Sequence, residues 1–143
     1  MRKSIISIIV AVFAIFVSTA FAQDGKITVE ILGIKEIKGR ISIALYNKSE
    51  DFPETDKSYK GVFVKVTEET VKYTFSNIPN GYYAIAVYHD SNSNNKLDKN
   101  FLGIPKKGYA FSKNVFGILG PPSFDKAKFK LSDTYTAKIK MKY

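Results

Sequence analysis

The sequence predicts an all-β protein, one domain folded as a seven-stranded antiparallel sandwich of two sheets. Seven short segments alternate apolar and polar residues with period two, and Gly, Pro and Asn punctuate the gaps. No segment beyond residue 22 carries a convincing helical period. A small barrel shares this pattern and stands as the alternative.

Along the chain, Ile27, Val29 and Ile31 alternate with Lys26, Thr28 and Glu30, as in a strand with one face in a core. Ile41, Ile43 and Leu45 alternate with Arg40, Ser42 and Ala44. Val62, Val64 and Val66 give a third row, and Val71, Tyr73 and Phe75 a fourth. Tyr83, Ile85 and Val87 form the fifth, in a strand whose other face (Tyr82, Ala84, Ala86, Tyr88) is also apolar. Such a strand belongs inside a sheet, covered on both sides. Ala127, Phe129 and Leu131 make the sixth row. The last is Tyr135, Ala137, Ile139, Met141 and Tyr143, set against Lys138, Lys140 and Lys142, which keep one face in water and discourage edge pairing.

Residues 1–22 read as a cleavable signal peptide. Arg2 and Lys3 precede an apolar run from Ile5 to Val17, broken by Ser7, and Ala20-Phe21-Ala22 supplies a small-x-small cleavage site. The run is shorter than the roughly 18–20 apolar residues that span a bilayer, which argues against a retained anchor. Residues 23–143 then make a single domain of 143 − 22 = 121 residues, periplasmic or extracellular. With no cysteine, disulfides, thiolate metal sites, thiol nucleophiles and lipid attachment at a cleavage-point cysteine are excluded. The net charge is 22 − 13 = +9, or 20 − 13 = +7 without Arg2 and Lys3. That balance allows anionic envelope components or glycans as partners, although lysines on strand faces read first as a solvated surface. The lysines are spread along strands, so no specific nucleic-acid binding is expected.

The densest polar segment, His89 to Asn100, follows the two-sided strand. Asp90, Asn92, Asn94 and Asp98 fall at relative positions 1, 3, 5 and 9 of a calcium loop, and the carbonyl of Lys96 at position 7. Alternate oxygens of a tight loop can surround one centre, and Ca²⁺ takes six to eight of them. Three departures weaken the pattern: Asn95 replaces the turn glycine, Phe101 stands where an EF-hand has its glutamate, and only two side chains are carboxylates. Two readings stand: a weak Ca²⁺ site with Kd of roughly 10⁻⁴–10⁻³ M, or an Asn-rich hairpin capping its own backbone.

His89 is the single histidine. Catalysis would need a nucleophile or a substrate placed by further residues, and no nucleophile elbow, second metal-ligating histidine or phosphate-cradling loop accompanies it. No catalytic residue and no resident cofactor is assigned. A hydrolase-like use of His89 is the remote alternative. The connection from Phe101 to Phe124 holds five aromatics among glycines, prolines and lysines. It reads as a packed cap on the sandwich in preference to an open binding loop.

Phe75 to Tyr83 contains Asn77, Pro79, Gly81 and Tyr83 in an NxPxGxY turn between two strands. It resembles the turn of extracellular sandwich modules of the transthyretin-like and collagen-adhesin B-repeat kind, and the fold expected is an immunoglobulin-like or transthyretin-like sandwich. The segment YAIAVYHDSNSNNKLDKNFLGIPKKGYAFSKN with GPPSFDKAKF is similar to the signature of an exported bacterial family, domain of unknown function 2141. The resemblance implies export and a sandwich-like fold and lends no activity. It also implies an acidic residue where this chain has Lys107. The functional expectation is an exported, non-catalytic binding or envelope-associated module, with a purely structural exported protein as the alternative. N-terminal sequencing of the exported form is expected to read from Gln23; a product retaining Ile5 to Val17 would overturn the signal-peptide reading.

Overall fold

The period-two rows become two stacked sheets in the computed structural model, which describes residues 24–143. The signal peptide expected over residues 1–22 lies outside the described residues. The strands are β1 (Gly25–Leu32), β2 (Arg40–Tyr46), β3 (Lys60–Lys65), β4 (Val71–Ile78), β5 (Gly81–Asp90), β6 (Tyr109–Phe111), β7 (Phe129–Leu131) and β8 (Thr134–Lys140). A single helical turn, α1 (Phe124–Ala127), precedes β7. One sheet has the order β4-β1-β8, and the other β3-β2-β5-β6 with β7 also paired to β5. Among the described residues no helix is long and apolar enough to cross a membrane.

The expected strand count and pairing need correction. Eight strands are present among the described residues, because Tyr109–Phe111 adds to β5 opposite Ala86 to Tyr88 within the segment read as a loop. Three residues are too few for alternation to show. Pairing is antiparallel except between β1 and β8, which run parallel with Val29 opposite Ala137. The turn at Asp133, with φ 76°, hands the chain from β7 to the other sheet, where β8 settles beside β1. Ala127 is buried as expected but lies in α1.

The inward rows of β1, β2, β5 and β8 form the main core: Ile27, Val29, Ile31, Ile41, Ile43, Leu45, Tyr83, Ile85, Val87, Ala137 and Ile139. β5 is central, as its two apolar faces require. Its second face and that of β2 carry Ala44, Tyr46 and Ala84, covered by Phe52, Phe111 and Ala127. Phe52 stands edge-on to Tyr46, Phe111 and Phe124, at 5.2, 5.8 and 6.0 Å between centroids. Tyr109, Phe111, Phe116 and Phe124 of the connection therefore pack over the outer face of the larger sheet. Phe101 is the exception: it is 95% exposed, so it takes no part in this cap.

Fully buried Ser112 ties that cover down. Its hydroxyl donates to the Ala127 carbonyl at 2.7 Å and accepts from the Ile85 amide at 2.9 Å. Ser112→Ala leaves both backbone groups buried without this partner, and is expected to lower stability by about 1–3 kcal/mol in denaturant titration. A loss within ±0.3 kcal/mol would show that the cover is held by packing alone.

Candidate functional site

The site is built where β5 ends. Asp90, its last residue, is opposite Arg40 of β2 and fully buried. Its carboxylate turns into the following loop, accepting from the amides of Asn94 at 3.2 Å and Asn95 at 2.9 Å. Ser93 and Asn95 take the left-handed conformation, φ 55° and 62°, so Asn95 does the work for which the sequence pattern usually uses glycine. Arg40 clamps the outside of the loop. Its guanidinium donates to the Ser93 carbonyl and the Asn95 side-chain oxygen, and stacks 4.7 Å over Phe63.

From Asp98 the chain makes a short hairpin and returns. Lys99 bridges to Pro105, and Lys106 N–H donates to the Asp98 carbonyl at 2.8 Å. The tip is shaped by Asn100, whose side-chain oxygen accepts from Leu102 and Ile104, with Gly103 at φ 77°. This return delivers Lys107 into the loop.

The five oxygens expected to face one centre do face one, and the centre is the Lys107 ammonium. Nζ lies 2.8 Å from Asp90 Oδ1, 2.7 Å from Asn92 Oδ1, 2.7 Å from Asn94 Oδ1, 2.8 Å from the Lys96 carbonyl and 3.1 Å from Asp98 Oδ2. An ammonium has three protons, so five contacts are shared bonds and charge attraction, much as ligands share a metal ion. The amides of Asn92 and Asn94 donate in turn to Asp98, which fixes their oxygens inward. Sequence reasoning named every oxygen and missed the occupant. The one signal was the basic residue at a position where the resemblance led to an acid.

Burial alone would raise the Asp90 carboxyl, but the Lys107 ammonium and the loop amides outweigh it and hold the group below its usual range. The hydrogen bond from Lys107 is the main cause that lowers Asp98. Burial pulls the Lys107 ammonium down, and Asp90 and Asp98 more than reverse this, holding it above the ordinary lysine value.

His89 stands beside this cluster and is 1% exposed. Nε2 lies 2.8 Å from the Lys38 carbonyl, which can only accept, so Nε2 carries a proton. Nδ1 meets the Tyr143 hydroxyl at 3.0 Å. The Tyr143 ring lies against Gly108, where an added Cβ would come within 2.5 Å of it. Both nitrogens are therefore engaged in holding chain segments together.

Fold and site together define a small two-sheet β protein whose polar end is organised around an internally supplied cation. The chain belongs to the family of domain of unknown function 2141, described as an uncharacterized protein conserved in bacteria, whose model matches residues 29–139. Neither the curated proteins nor the solved structures include a match to it.

The cage carries a stated pH dependence. Both carboxyls titrate lower in the fold than unfolded, so their contribution is complete above about pH 4 and is lost as pH falls through the lowered folded values. Lys107, raised in the fold, loses its share only as pH climbs past about 10.4 and on through the folded value. Lys107→Met is expected to cost about 2–3 kcal/mol, between surface and fully buried pairs because Asn92 and Asn94 are exposed. Thermal unfolding across a pH series should show the variant with a shallower acid limb; an unchanged limb would mean that the ammonium does not hold the carboxylates.

Proposed function

We propose that this is an exported, non-catalytic binding or envelope-associated module of the immunoglobulin-like or transthyretin-like kind, in which Lys107 serves the loop as calcium serves related loop geometries. The observation that carries the reading is the shell of five oxygens around Nζ at 2.7–3.1 Å. Those are N–H···O distances, whereas Ca²⁺ draws oxygens to 2.3–2.6 Å. Calcium and the ammonium compete for one position, and the ammonium is tethered there. Export rests on the Arg2 to Ala22 pattern. A non-catalytic role is supported by His89, whose ring nitrogens both serve structural hydrogen bonds. A polar end whose charges and amides are bonded to one another suits a module that presents a surface.

Millimolar calcium is expected to leave the melting temperature of the wild type unchanged. Lys107→Glu removes the resident cation and adds a carboxylate, so it should be less stable in chelator and regain stability with calcium, magnesium substituting poorly. A calcium-dependent rise in the wild type would sink the lysine-held reading and favour a metal on Asp90, Asn92, Asn94, Lys96 and Asp98. Asp98→Ala should abolish any such rise.

A further inference from the structure

The hairpin that delivers Lys107 ends in an apolar tip. Phe101 is 95% exposed, Leu102 68% and Ile104 53%. Three large apolar side chains projecting together into water are not explained by the fold, since none packs against either core cluster. The tip is not loosely built. Asn100 caps two of its amides, the Asn100 amide donates to the Ile104 carbonyl at 2.9 Å, and both stems are anchored, by Asp98 and Lys107, to the cage. Around it Lys96, Lys99 and Lys106 are exposed, and none is in an ion pair among the described residues. The nearby acids, Asp90 and Asp98, are already neutralised by Lys107 and Arg40.

We propose that this tip is a membrane-docking surface: Phe101, Leu102 and Ile104 enter the interface of an anionic bilayer while Lys96, Lys99 and Lys106 meet its headgroup phosphates. The inference rests on the envelope-associated reading and names its partner. Charge complementarity selects the occupant, because exposed lysines without ion pairs among the described residues, flanking apolar ones along the chain, match an anionic interface. Shape argues the same way. The tip is the turn of a short hairpin with only three exposed apolar side chains, far short of the roughly 1,200 Å² that a stable protein–protein interface buries, whereas a soft lipid interface accepts a small protrusion without a matching pocket. Each lysine near an anionic surface contributes roughly fivefold to partitioning, so three lysines and three apolar residues give reversible attachment.

The test is sedimentation of the purified exported form with vesicles of phosphatidylcholine alone or mixed with phosphatidylglycerol. Wild type should bind the anionic vesicles, weaken steeply with salt, and bind neutral ones at least tenfold less. Phe101→Ser with Leu102→Ser, and separately Lys99→Glu with Lys106→Glu, should each lose about tenfold or more, with unchanged melting temperatures because these side chains are exposed. Ile118→Ser with Leu119→Ser, at a second exposed apolar turn, should retain binding within about twofold. No binding of wild type to anionic vesicles would overturn the proposal. So would tip variants that bind as well as wild type, or equal losses at Ile118 and Leu119. None of these outcomes bears on the calcium response of Lys107→Glu, so the two readings fail separately.

Discussion

The contact between the Lys107 ammonium and the Asp90 carboxylate, 2.8 Å long and almost sealed from water, fixes how one end of the sandwich is assembled. β5 ends at Asp90, and the backbone of the next five residues is shaped by amides that this carboxylate accepts. The hairpin that follows must bring Lys107 back, and in doing so it sets Gly108 against the amide of His89 and starts β6 in register with Tyr88. Arg40 joins β2 to the same carboxylate. A buried charge is costly unless it is paired and hydrogen-bonded. Here both charges are, and the segments that satisfy them have little freedom left.

The other organising constraint is the two-sided burial of β2 and β5. Strands with both faces apolar need a second cover, and the chain provides it without a third sheet. Phe52 reaches across from the β2–β3 connection, while Phe111, Phe124 and Ala127 arrive from the other side. The small residues Ala44, Ala84 and Ala86 leave the room these aromatics fill. Edge-to-face ring contacts suit such a layer because they fill volume and add attraction beyond buried area.

Most strands were legible because a half-buried strand writes its burial directly as period two. The cage oxygens were legible for a related reason: a tight loop turns spacing into geometry, so Asp90, Asn92, Asn94 and Asp98 declared a common centre. What fills that centre was not written locally. Lys107 comes from beyond a hairpin, and its side chain reads like any surface lysine until the return of the chain is known. β6 was hidden because its pairing partner, not its own pattern, makes it a strand. In sequence Phe101 looks like the packed aromatics, because composition does not tell a ring that covers a sheet from one at a hairpin tip. The parallel partner of β1 has no signature in either strand alone.

That parallel partnership bears on how the molecule comes into being. β1 is flanked by β4 and by β8, the latter the last strand in sequence. A growing chain can form the β2–β3 and β1–β4 pairings early, yet one side of β1 stays open until more than a hundred further residues have followed it. Pairings of such sequence separation are slow, because loop closure precedes any reward from the contact. The domain therefore matures only when it is whole, and until then β1 keeps an open edge on which a second unfinished chain could pair.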